Sequence, residues 1–168
     1  MLAAMIASSL LGCRTSPEIA KRMIMPPGAV IMDIPEDQAF LMASPISQPM
    51  PVFPGGDLLG PSVSACVELV IDESGSVSSA TPIYAITECP LDEGQMDQRL
   101  VAAVIDAVSK WQFLAAATCT FPAGAPRTED CSGDNVLVVP VAIKLSYVFS
   151  FQGNGRVILK ARKAPKQP

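Results

Sequence analysis

Between positions 89 and 113 the apolar residues Met96, Leu100, Ala103, Val104, Ala107, Val108 and Trp111 recur at spacings of three and four. That period places them on one helical face, with Asp97, Gln98, Asp106 and Lys110 largely opposite. The pattern predicts one amphipathic helix, the only convincing one in the chain. Asp92 can cap its start, Gln95 stands three residues later, and Glu93 adds negative charge where the helix dipole favours it. The single tryptophan, Trp111, stands at its end. One helix cannot bury such a face alone, so a flat apolar partner must lie against it.

The flanking segments alternate as strands do. In 62–72, Val63, Ala65, Val67, Leu69 and Ile71 face one way, and Ser64, Cys66 and Glu68 the other. Asp72-Glu73-Ser74-Gly75 then reads as a turn, and 76–87 as a second strand in which Pro82 marks an edge or a bulge. The short connection makes the two an antiparallel hairpin. After the helix, 114–135 reads as a loop rich in Ala, Pro and Gly. A third strand follows over 136–147, where Pro140 requires one free side. Residues 149–160 predict a further hairpin around Gly153-Asn154-Gly155.

The first third of the chain shows no sustained period. Pro17, Pro26, Pro27, Pro35, Pro45, Pro49 and Pro51 punctuate it, which predicts an extended tether with one short helical turn near 36–42. At ~3.1 Å per residue such a tether reaches on the order of 100 Å. Its methionines, among them Met23, Met25 and Met32, are soft enough for Cu(I), but their spacing is irregular and no histidine supports them. Flexible apolar contact is the simpler role, so no metal or cofactor is expected.

Composition narrows the functions. Histidine is absent from the 168 residues, which removes the commonest general base and the commonest transition-metal ligand together. No nucleophile stands with a base, and no glycine loop is built to cradle phosphate, so the chain is not read as an enzyme. The carboxylates Asp92, Glu93 and Asp97 are explained as helix-start charge. A net charge of −4 makes nucleic acid an unsuitable partner. Arg156, Lys160, Arg162, Lys163 and Lys166 form a basic tail with no acid among them, read as a solvated terminus.

Residues 1–12 are apolar or small, too short a run to span a bilayer, and read as the core of a secretion signal. Leu10-Leu11-Gly12-Cys13 resembles a bacterial lipobox. That resemblance implies cleavage before Cys13, lipid on its sulfur and, with Arg14 rather than aspartate next, sorting to the outer membrane. The expected location is the periplasmic side of the envelope.

The order of elements also resembles the TonB C-terminal domain family. The matching residues are Val67-x-Leu69-x-Ile71-Asp72-x-x-Gly75-x-Val77, Cys89-Pro90-Leu91-Asp92, Trp111-x-Phe113, Gly124-x-Pro126 and Val139-Pro140-Val141-x-Ile143-x-Leu145. The family's usual Pro-Ala after Trp-x-Phe is replaced by Ala115-Ala116, and the loop is longer, with two cysteines. The resemblance implies an α+β fold of two layers, a three-stranded antiparallel sheet packed against one main helix, with room for an extra C-terminal hairpin. The implied division is 1–12 signal peptide, 13–51 tether, 52–148 TonB-like domain, and 149–168 C-terminal strand or hairpin with the basic tail. It further implies a protein-binding role in TonB-dependent transport. An outer-membrane transporter, or another envelope protein, would add a strand beside Leu137, Val139, Val141, Ile143 and Leu145. The alternative is a structural or assembly lipoprotein whose sheet edge is covered by its own chain, by 149–160.

With Cys13 lipidated, four cysteines remain, and an exported compartment permits three pairings. Closure of the otherwise unsupported loop favours Cys119 with Cys131, leaving Cys66 and Cys89 as the remaining pair.

Overall fold

The alternating segment becomes the long strand at the heart of the fold, β4 (Ser62–Ile71), and its side chains Val67, Leu69 and Ile71 are fully buried. The computed structural model describes residues 19–25, 28, 33–54 and 62–152. The other strands are β1 (Ile19–Ile24), β2 (Gln38–Leu41), β3 (Ser44–Ser47), β5 (Val77–Ile83), β6 (Gln112–Leu114), β7 (Ala116–Thr120), β8 (Leu137–Val141) and β9 (Ile143–Gln152), with helix α1 (Gln98–Val108) between β5 and β6. All pairings are antiparallel. They make three sheets, ordered β1-β9-β4-β5, β2-β7-β8 and β3-β6.

The expected two-layer α+β fold, one three-stranded sheet on one helix, is therefore corrected. The chain is mostly β, its largest sheet has four strands, and two smaller sheets accompany it. Two physical reasons account for the difference. Residues between Pro17 and Pro51, read as a tether, supply β1, β2 and β3 as ladder partners. The apolar run 136–147 is not one strand: it breaks at Ala142 and serves two sheets.

The β4–β5 hairpin forms as its alternation requires. The Asp72 carboxylate accepts from the Ser74 N–H at 2.9 Å, the Ser74 hydroxyl at 2.6 Å and the Ser76 N–H at 3.0 Å, fixing the turn. β5 is an outer strand, which accommodates Pro82. Helix α1 starts later than its acidic leader suggests. Residues Glu93–Gln95 form a single 3-10 turn, in which the Gln95 side chain accepts from the Asp92 N–H at 3.2 Å. Asp97 then caps α1, accepting from the Arg99 N–H at 3.0 Å.

Leu100, Val101, Val104 and Val108 of α1 pack on the face of β4 and β9 that carries Val67, Leu69, Leu145, Tyr147 and Phe149. Each such side chain contributes about 1.5–3 kcal/mol through burial. Trp111 closes this core: its ring meets Tyr147 edge-on at 4.9 Å, and its Nε1–H donates to the Pro49 carbonyl at 2.8 Å. Phe53 lies 6.2 Å from Phe151, so the proline-rich segment around it is packed on the core.

Two disulfides hold loops across the sheets. Cys66–Cys89, with Cα atoms 6.0 Å apart, ties the Ile86–Cys89 turn to the back of the four-stranded sheet beside Val148 and Ile24. Cys119–Cys131, at 5.8 Å, folds the following loop over β2 and β7, where Ala39, Cys119, Phe121 and Cys131 form a small core. β9 continues to Gln152, so 149–152 belong to a strand that begins at Ile143. Cys13, the signal segment and the rest of the predicted C-terminal hairpin lie outside the described residues.

Candidate functional site

The five residues expected on one docking edge fall on two. Leu137, Val139 and Val141 belong to β8, paired with Thr120, Thr118 and Ala116 of β7. Ile143 and Leu145 belong to β9, paired with Ile71 and Leu69 of β4, and Leu145 is buried in the core. The break at Ala142 separates the two sets.

On the side of β9 away from β4 lies β1, in the register Ile19↔Phe151, Lys21↔Phe149 and Met23↔Tyr147. Along Ser146–Phe151 the edge is thus occupied by the chain itself, by the segment before Pro26. Its hold is uneven. Of the six β1 residues only Ile24 is buried, whereas β9 is buried continuously from Leu145 to Phe149. The principal side-chain tie is Lys21. Its Nζ lies 4.5 Å from the centre of the Trp111 ring and donates to Gln48 Oε1 at 2.8 Å, and Gln48 Nε2 reaches the Tyr147 hydroxyl at 3.5 Å. Burial pushes the Lys21 ammonium below its usual pKa and the Tyr147 phenol above its own.

β8 differs. It is outermost in its sheet among the described residues, and Leu137, Val138 and Val139 are 61%, 46% and 46% exposed. Pro140 has no N–H to offer, which removes one donor from this edge.

A cleft of about 340 Å³ lies between the start of β4, the 88–91 loop and the start of α1, lined by Val63, Leu91, Leu100, Glu88, Gln95 and Asp97. Asp97 there is committed to Arg99, which holds its carboxyl below the usual range. Among the described residues no group of three or more His, Cys, Asp or Glu side chains could hold a metal ion. Among the same residues, no helix is long and apolar enough to cross a membrane.

The element at the β9 edge that sequence reasoning missed is β1. A signal existed: a six-residue stretch rich in branched and aliphatic side chains, bounded by Pro17 and Pro26. Lys21 and Arg22 at its centre blur the alternation. Comparison with family models, with curated proteins and with solved structures finds no match.

Proposed function

We propose that this chain is an exported protein-binding domain that accepts an extended segment of an outer-membrane transporter as a strand on β9, at the edge β1 holds. The observation that supports it is the contrast between a lightly buried β1 and the continuously buried strand beneath it. Exchange of β1 for a partner strand conserves the backbone ladder, so its net cost lies only in the side-chain contacts that differ. Selectivity would come from alternate positions, above all the one over Trp111 that Lys21 fills. On this reading the lipid on Cys13 anchors the domain to the outer membrane, and the disulfides suit the oxidising periplasm.

A second reading is favoured by the Lys21–Gln48–Tyr147 chain of contacts, which ties β1 in place. On it the edge is permanently self-covered and the protein serves the envelope structurally. Native-state hydrogen exchange separates the two. Exchange at β1 requires its amides to open by a local route, at a free energy well below that of the β4 amides. Equal protection of β1 and β4 would favour the structural role.

A further inference from the structure

The outer edge of β8, unpaired among the described residues, calls for a different occupant. Its sequence, Leu137-Val138-Val139-Pro140-Val141, is apolar at every position. Such a run is the pattern of a strand covered on both faces, not of one left at a solvent boundary. Yet three of its large side chains are exposed, and its outer side has no ladder partner among the described residues. An edge proline turns the side lacking an N–H outward. An added strand of any origin therefore meets one position, Pro140, that offers no donor.

Charge gives its chemistry. Glu36 and Asp37 lead into Gln38, which is in register with Thr120 and, through it, with Leu137. Asp134 stands three residues before Leu137. Asp130 neighbours Cys131, bonded to Cys119, whose partner in register is Val138. These carboxylates are all exposed, and the only cation among described residues 121–141 is Arg127. The edge is thus an apolar strip with an acidic rim at its Leu137 end. An extended segment with an apolar centre and flanking cations complements it.

This chain carries such a segment. In 156–163, Val157, Ile158 and Leu159 lie between Arg156 and the cations Lys160, Arg162 and Lys163. We infer that the β8 edge receives residues 156–163 of a second copy of this chain as an added strand. The source is a second copy because β9 carries the chain away from β8. Its ten residues span roughly 30 Å at ~3.4 Å each. The six residues from Gln152 to Ile158 cover at most about 21 Å. A tail turning straight back falls short of the start of β9, beyond which β8 lies. The inference is independent of the β9 reading, since neither β1 nor a transporter enters it.

The test is the oligomeric state of the full chain by sedimentation, with two variants that leave the core untouched. Ile158→Pro interrupts the tail, and Val139→Asp places a charge on the exposed edge. The wild-type chain should self-associate, and raising salt from about 50 to about 500 mM should weaken the association at least about tenfold. Each variant alone should be monomeric at the same concentration. An equimolar mixture of the two should recover association through the one interface that remains intact. A monomeric wild type, or dimers that persist in Ile158→Pro, would overturn the inference. So would a concentration-independent crosslink between positions 139 and 158, which would mean that each tail serves its own copy.

Discussion

The Phe113 amide donates to the Gly75 carbonyl across 2.8 Å, joining the tip of the β4–β5 hairpin to the strand that follows α1. The neighbouring Ser76 and Gln112 form a bridge at the same place. Gly75 has φ +84°, and a Cβ built there would overlap the Phe113 carbonyl oxygen. The site combines a left-handed backbone with an approach that tolerates no side chain. Gly75→Ala should therefore destabilise the fold by about 3 kcal/mol or more, read as a drop in the urea midpoint at unchanged slope. A loss below about 1 kcal/mol would mean that the hairpin tip and β6 separate easily.

Ser146 offers a change of the opposite sign. It lies on β9 opposite Ile24 of β1 and Glu68 of β4, wholly buried, and its hydroxyl has no hydrogen-bond partner among the described residues. A buried hydroxyl without a partner costs free energy that an alanine would not. Ser146→Ala should raise stability by about 1 kcal/mol in thermal or urea unfolding. Destabilisation would show that the hydroxyl is satisfied in solution.

Three carboxylates among the described residues tie stability to acid pH. The Ser74 hydroxyl bonded to Asp72, the Arg99 side chain bonded to Asp97 and the Ser132 hydroxyl bonded to Asp130 each hold a carboxyl below its ordinary 3.8. A carboxylate whose pKa is depressed by folding stabilises the native state above its unfolded pKa. That contribution is lost as pH falls through the folded value. Stability should therefore hold above 3.8 and decline progressively below it. In Asp72→Asn the decline should be shallower. A titration that found the wild type and this variant equally acid-sensitive would remove the turn carboxylate from the account.

The parts of the fold that were legible were those with complete periods. Val63, Ala65, Val67, Leu69 and Ile71 keep the alternation despite the apolar Val70 among them, so β4 and its hairpin could be read directly. The helix could be read too, though its start moved from Asp92 to Asp97 because the acidic leader forms a separate 3-10 turn. The strands β1, β2 and β3 have six, four and four residues among prolines, too few to display a period. Their formation is decided by pairing partners far along the chain. β6 and β7 flank Ala115 and include Ala116 and Ala117, residues of low strand preference, so that stretch read as loop. The break at Ala142 was hidden because every neighbour from Leu137 to Val141 and Ile143 is apolar. The docking edge was therefore read as one continuous strip. Its β9 half lies in a sheet whose outer strand comes from more than 120 residues earlier in the chain, a relationship that no local pattern reports.

If β9 exchanges β1 for a partner strand, the partner must lie along the β9 edge in cells. Lys144 is exposed on β9 just beyond the last pair formed with β1, Ile24↔Ser146. A photoreactive residue at position 144, activated in cells, reports what lies along that edge. The decisive control is a chain in which Ala20→Cys and Ser150→Cys, neighbours in register on β1 and β9, lock the strand in place. The account predicts an adduct to an outer-membrane transporter that disappears in the locked chain and persists in either single variant. Adducts confined to the chain's own residues 19–25, or a transporter adduct indifferent to the lock, would contradict it.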